Sequence, residues 1–243
     1  MNIVVPMAGK ATGFLRSKFK YPRYGVEING ISILERSLRG LGDANYYFIC
    51  LSEQFKKYGM QKRIMKAFPG AKILLADCVT HGQALTALWA EQYVSTDDPL
   101  MIVSPMQVID WEPQDFYTFC ENTEADAAMV TTDNLLTDSE LFYTKVDMES
   151  GMVKSVSDSY HDDWMHDCGI YYFKYGWYYT RWVKEMMKRE GRIGSEFWVS
   201  MCMNDAIVEG KEVRPYIVDS ACILKKANDV RQFAKHFPEW SKP

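Results

Sequence analysis

The sequence predicts an α/β fold: a mixed, mostly parallel twisted sheet flanked by helices on both faces, with a partly antiparallel second half. Three observations carry this. Over residues 1–103, short apolar runs alternate with stretches that are apolar at helical spacing, the pattern of strands joined by crossover helices. The first run, Ile3-Val4-Val5, is apolar at consecutive positions, as a strand covered on both faces requires. Beyond Asp110 the extended runs follow one another without regular helices between them, which implies antiparallel neighbours.

Taken in order, residues 1–7 read as the first strand, closed off by Pro6 and Gly9. Residues 8–24, rich in Gly, Lys, Arg and small side chains, read as a loop, and residues 26–28 as a brief extended segment ending in the Asn29-Gly30 turn. Residues 32–41 place Ile33, Leu34, Leu38 and Leu41 on one helical face, with Ser32 as the cap and Glu35 completing a capping box. Strands then fall at 46–51, 71–75 and 100–103, and helices at 53–67 and 83–93. Sheets of this kind bind ligands outside the carboxyl ends of their strands, so the loops after Met7, near Gly82 and after Ser104 are expected to share one crevice. In the second half, strands are expected at 127–131, 142–146, 153–157 and 169–174, with Glu149-Ser150-Gly151 as a hairpin turn. Helices at 177–189 and 195–209, a strand at 212–218 and a helix at 228–236 complete the chain. The aromatic run from Tyr171 to Trp182 reads as a core strand entering an amphipathic helix.

A length of 243 residues suits a single domain with a substantial core. The net charge of -4 offers no global positive field for nucleic acid or an anionic membrane surface, so an anionic ligand needs a local site. Apolar runs such as residues 3–8 are far too short to span a bilayer, and a cytoplasmic location is expected. The cysteines (Cys50, Cys78, Cys120, Cys168, Cys202 and Cys222) form no CxxC pair and read as reduced, mostly buried thiols.

The opening Val4-Val5-Pro6-Met7-Ala8-Gly9-Lys10-Ala11-Thr12-Gly13-Phe14, followed by Tyr21-Pro22-Arg23 and Val26-Glu27-Ile28-Asn29-Gly30, resembles the sugar-phosphate nucleotidyltransferase family. That family's pattern is an apolar strand, a Gly-rich loop ending in arginine, a Pro-Lys pair and a strand ending in a turn. The resemblance continues through Thr80-His81-Gly82-Gln83-Ala84, Leu100-Met101-Ile102-Val103-Ser104 and Gly169-Ile170-Tyr171-Tyr172-Phe173-Lys174, and covers nearly the whole chain. It implies the Rossmann-like nucleotide-diphospho-sugar transferase fold, with a nucleotide-binding half at 1–112 and a substrate-binding half at 113–243. The implied reaction is attack by a sugar-phosphate oxygen on the α-phosphate of a nucleoside triphosphate, expelling pyrophosphate. Positioned cations and Mg²⁺ stabilise the charge that builds on the phosphate oxygens.

Carried onto this chain, the family's loop arginine falls at Gly13, with Lys10, Arg16, Lys18 and Lys20 nearby, and its Pro-Lys lysine falls at Arg23. Its metal-binding aspartate falls at Met106 and a second metal ligand near Ile223; its following Gly-Thr reads Lys225-Lys226 and its Glu-Lys pair Asp158-Ser159. The resemblance thus implies Lys10 and Arg23 as catalytic cations and Ala8, Gly9, Lys10, Ala11, Thr12, Gly13, Gly82 and Gln83 around the nucleotide. It implies Asp158, Gly169 and Glu196 around the substrate. Because Met106 and Ile223 replace oxygen ligands, Mg²⁺ would need another donor, and Asp110 is the candidate, against a plain reading as a helix cap or loop acid. The acidic stretch Asp158, Asp162, Asp163, His166 and Asp167 matches no ligand spacing and reads as a solvated loop. Three functions remain open: a nucleotidyltransferase, for instance in surface-polysaccharide metabolism; a nucleotide- or sugar-binding or scaffold homologue without catalysis; and a GT-A-like glycosyltransferase using a nucleotide sugar. The expected partners are a nucleotide or nucleotide sugar, a phosphorylated small molecule and a second copy of the chain.

Overall fold

The computed structural model describes residues 1–9 and 19–236. Strand β1 (Asn2–Met7) is buried at every position. A 3-10 turn at Arg23–Gly25 leads into a small hairpin of β2 (Glu27–Ile28) and β3 (Ile31–Ser32). Helix α1 (Ile33–Ser37) starts on the expected capping box: Ser32 Oγ accepts from the Glu35 amide and the Glu35 carboxylate accepts from the Ser32 amide. It ends earlier than the apolar spacing implies.

Strand β4 (Asn45–Leu51) is followed by α2 (Ser52–Tyr58) and α3 (Met60–Ala67) in place of the one helix expected over 53–67. The break falls at Gly59, whose φ of 59° is left-handed and ends α2. After β5 (Lys72–Ala76) come α4 (Gln83–Ala87), a 3-10 turn at Leu88–Ala90 and α5 (Glu91–Val94). Strand β6 (Leu100–Val103) leads to β7 (Gln107–Ile109) and α6 (Pro113–Asn122), a helix that begins on a proline whose missing N–H costs nothing there. This helix is not apparent from the apolar spacing, and it corrects the expectation that the second half opens directly on strands.

The remaining elements are β8 (Ala127–Thr132), β9 (Tyr143–Asp147), β10 (Met152–Ser157), β11 (Met165–Phe173), α7 (Gly176–Lys188), α8 (Val199–Val208), β12 (Val213–Ile217), β13 (Ala221–Ile223) and α9 (Ala227–His236). Helix α8 starts four residues later than expected, because residues 193–196 close a turn and Phe197 bonds to the segment before α4.

Among the described residues, nine strands form one sheet, whose main path runs β10-β9-β11-β6-β1-β4-β5, with β8 and β12 joined through β11. The pairs β1/β4, β1/β6, β4/β5 and β8/β12 are parallel; every pairing made by β11 and β9 is antiparallel. The predicted mixed, mostly parallel sheet with an antiparallel second half is therefore what forms. Alternate residues of the central strands enter opposite cores: Val4, Ile49 and Ile102 pack with Tyr179, Trp182 and Val183 of α7, while Ile3, Val5, Phe48, Met101 and Val103 pack with Leu34, Ile64 and Phe116. Each such fully buried aliphatic or aromatic side chain contributes about 1.5–3 kcal/mol, so this double burial holds the strand ends rigidly enough to position loops. A third cluster of Val26, Ile33, Val108, Leu224, Val230 and Phe233 ties α9 and β13 behind the loop after β6. Cys78 is exposed and the other cysteines are buried free thiols.

Candidate functional site

A cleft of about 700 Å³ opens at the carboxyl ends of β1 and β6. The three loops expected to meet do so: Met7 and Gly9 after β1, residues 80–83 before α4, and Ser104 to Met106 after β6 all line it. Arg23, Glu196, Trp198 and Lys225 complete the walls.

The wall at residues 80–84 is made by the backbone. Gly82 has φ +101°, and a Cβ there would lie 2.3 Å from the Phe197 carbonyl oxygen and 2.5 Å from its nitrogen, so this position admits only glycine. That close approach lets the Phe197 amide donate to the His81 carbonyl at 2.8 Å and the Ala84 amide donate to the Phe197 carbonyl at 3.0 Å. The Tyr179 hydroxyl, fully buried on α7, donates to the Ala84 carbonyl at 2.6 Å and fixes α4 from behind. These bonds hold Phe197 against the Gly82 turn, and its neighbours Glu196 and Trp198 line the cleft.

The opposite wall is made by side chains. Arg23 Nη1 donates to Met106 Sδ at 2.8 Å. Burial lowers the Arg23 pKa to about 10, while Asp229 and Tyr24 pull it upward. Asp229 is itself buried, accepting from Ser139 Oγ and from the Lys226 amide, each at 2.6 Å. Lys225 follows β13; its Nζ donates to the Glu140 carbonyl at 3.3 Å. Its pKa is lowered first by burial and then by Arg23 and Lys226, with Glu196 and Asp229 acting against them. The Leu224 amide donates to the Met106 carbonyl at 2.6 Å, and that bond brings the two stretches together. Beside Arg23, the Tyr24 hydroxyl donates to Gln54 Oε1 at 3.0 Å and Gln54 Nε2 donates to the Gly9 carbonyl at 3.2 Å, which fixes the chain just past β1.

The floor is Ser104, fully buried, whose amide donates to the Gly169 carbonyl at 2.9 Å. Ser104 Oγ has no hydrogen-bond partner among the described residues. Gly169 sits in the irregular middle of β11, and the buried Asp167 carboxylate braces it, accepting from the Gly169 amide at 2.7 Å and the Tyr171 hydroxyl at 2.5 Å. Burial raises the Asp167 pKa to about 7, with those two donors opposing the shift.

Several expected site residues therefore share the cleft: Gly9, Arg23, Gly82, Gln83 and Glu196 line it. Lys10, Ala11, Thr12 and Gly13 lie outside the described residues. Ala8 belongs to the apolar core, and Gly169 lies beneath Ser104, so it acts on the cleft through the floor. Asp158 is exposed just beyond β10 and does not line the cleft. Asp110 also departs from expectation: it lines a separate recess of about 280 Å³ with Arg36, Arg39 and Trp111. The reason is strand geometry, since β7 pairs antiparallel with β13 and extended chain travels about 3.3 Å per residue away from Met106. Asp158, Asp162 and Asp163 are exposed while Asp167 is fully buried, so burial divides the acidic stretch; among the described residues no group of three His, Cys, Asp or Glu side chains converges. Trp198 is a cleft residue that the sequence does not point to, while Ser104, expected to open one of the cleft's loops, and Lys225, expected just past the second metal-ligand position, line the cleft without having been given a binding role from sequence. For Lys225, no local signal announces that residues 221–223 pair with residues 107–109.

The residues present do not fit the Mg²⁺ site of the resembling family. Met106 offers a soft thioether already engaged by a guanidinium, Ile223 is fully buried and apolar, and Glu196 is the one carboxylate among the described lining residues.

No protein-family model and no curated protein sequence matches the chain. Solved structures do match in architecture. A nucleoside-diphosphate-sugar pyrophosphorylase from Vibrio cholerae RC9 superimposes with a TM-score of 0.77 at 14% identity, over 96% of this chain and 100% of that one. The inositol-1-phosphate CTP transferase from T. maritima gives 0.73 at 13% identity, over 94% and 90% of the two chains. HddC from Yersinia pseudotuberculosis gives 0.66 at 14%, over 97% and 99%. At such identities the likeness carries the architecture and leaves the chemistry to the site. The chain has the nucleotide-diphospho-sugar transferase fold of the sugar-phosphate nucleotidyltransferases.

Proposed function

We propose that this chain is a nucleotidyltransferase-like protein whose cleft binds a nucleotide or nucleotide sugar, phosphates toward Arg23 and Lys225. The observation that supports this best is the placement of two cationic side chains in a cleft at the carboxyl ends of parallel strands. Charge-assisted bonds from such cations to phosphate contribute about 1.5–3 kcal/mol each. On the opposite wall, Gly82 lets a base come close to the backbone, while Glu196, His81 and Gln83 offer hydrogen-bonding groups to the sugar side of the ligand. In a transfer reaction an acceptor phosphate oxygen would bond to the α-phosphorus as the bridging bond to pyrophosphate breaks, and the leaving group's charge would fall against Arg23 and Lys225.

A second reading, a homologue that binds without turnover, is favoured by the thioether of Met106 at the position where the family carries a metal-binding acid. A cytoplasmic role in surface-polysaccharide metabolism and self-association through residues 113–243 belong to the proposal as its outer parts, resting on the resemblance. Calorimetric titration with the common nucleoside triphosphates and nucleotide sugars, followed by a pyrophosphate-release assay with sugar 1-phosphates, separates the readings. Binding with release supports transfer, and binding without release supports the second reading. If none of these ligands binds, both readings are wrong.

A further inference from the structure

We infer that the cleft holds the diphosphate of its ligand without a divalent cation, the balancing positive charge being supplied by Arg23 and Lys225. This rests on the nucleotide-binding reading above and specifies its electrostatics. Three independent features support it.

First, the point where β7 and β13 come together cannot hold a hard cation. There Met106 Sδ accepts from Arg23 Nη1 at 2.8 Å, which places a guanidinium at the sulfur. Ile223 is fully buried, and both its backbone groups are bonded to Thr137 Oγ1, the amide at 2.9 Å and the carbonyl at 3.1 Å. A divalent ion would find one soft donor and two neighbouring positive charges.

Second, the two cations stand close enough to oppose each other. Arg23 and Lys225 both have pKa values lowered by burial, and Lys225 is further opposed by Arg23 and Lys226. Among the described residues, the carboxylates that act on them are Glu196, on the opposite wall, and Asp229, which is buried and also accepts from Ser139 and the Lys226 amide. A diphosphate between the walls relieves the repulsion between the cations, whereas a metal ion adds to it.

Third, Ser104 Oγ lines the same cleft, is fully buried, and makes no hydrogen bond among the described residues. A buried hydroxyl without a partner is costly, and a phosphate oxygen supplies the missing acceptor without any metal.

The test is calorimetric titration of the full chain with inorganic pyrophosphate and with the common nucleoside diphosphates, in EDTA and again in Mg²⁺. The expected result is binding in EDTA at least as tight as in Mg²⁺, since Mg²⁺ competes with the protein for the diphosphate. In EDTA, Lys225→Ala and Arg23→Ala should each weaken binding about ten- to a hundredfold. Arg23 is the more buried of the two, so thermal melts accompany both variants, and the half-buried Lys225 keeps the test decisive should Arg23→Ala fail to fold. Met106→Asp, which sets a carboxylate against the guanidinium, should lower the metal-free affinity by a comparable factor. Binding that requires Mg²⁺ overturns this inference and leaves the nucleotide-binding reading standing. Binding in EDTA that Lys225→Ala leaves unchanged also overturns it. If no probe binds in either buffer, the inference fails together with the reading beneath it.

Discussion

Both walls are held by main-chain hydrogen bonds, from Phe197 to residues 81–84 and from Leu224 to Met106, but the wall at residues 80–84 owes its shape to a missing side chain at Gly82, whereas the wall at Met106 and Lys225 presents side chains, above all Arg23 in contact with the Met106 sulfur. The difference separates what shape demands from what charge demands. The first wall depends on one missing Cβ and would accept many neighbouring side chains. The second depends on which side chain stands at each position, and there the chain departs from the family it resembles. A cleft of this fold can thus keep its shape while the chemistry at one wall is exchanged for another.

The largest effect should come from the backbone wall. Gly82→Ala forces a left-handed alanine into the Phe197 backbone, and we expect a loss of about 2–5 kcal/mol in urea denaturation together with loss of nucleotide binding. Retained stability would show that the two segments are not fastened through this contact.

The floor shared by both walls should show itself in the pH dependence of folding. Asp167 has a folded pKa raised to about 7 against an ordinary value of 3.8, so the folded state binds a proton more tightly than the unfolded chain does. Its contribution is therefore most favourable below the unfolded value and is lost as pH rises toward about 7, where it levels off. That slope is worth a few kcal/mol, and denaturation curves taken across the window should show it in the parent and lack it in Asp167→Asn.

A smaller effect is expected behind α4. Tyr179→Phe removes the buried donor to the Ala84 carbonyl and should cost about 1–2 kcal/mol of stability by thermal melting, with binding weakened only as α4 loosens. The smallest effect separates shape from charge at the second wall. Met106→Leu keeps the volume and removes the sulfur acceptor, so stability should change by less than about 1.5 kcal/mol and pyrophosphate affinity only a fewfold. A collapse of affinity in that variant would mean that the thioether positions Arg23 more strictly than its charge alone requires.

Much of this molecule was legible in its residue order because it follows from local patterns. The apolar runs of β1, β4 and β6 announce burial on both faces, Ser32 and Glu35 announce the cap of α1, and the convergence of Gly9, Gly82 and Ser104 follows from the rule that parallel strands end on one edge. Motif order also points to Arg23 and Glu196, both of which line the cleft. Other features were closed to that reasoning. Helix α6 begins on Pro113 and buries Phe116 and Cys120 on a face too sparse to stand out as a period. Asp110 and Asp158 sit near strand ends in sequence, yet the pairing of β7 with β13 and the exposure beyond β10 direct them elsewhere.

The sequence by itself determined the fold class, the order along the chain of the nine strands of the main sheet and the edge of that sheet on which a ligand would lie. Tertiary structure alone decided that the Leu224 amide joins the Met106 carbonyl, that the Arg23 guanidinium meets the Met106 sulfur, and that Gly82 must be glycine because of Phe197. Local propensity acts over a few neighbouring residues, whereas these contacts join segments more than eighty residues apart whose meeting is set by sheet pairing and core packing.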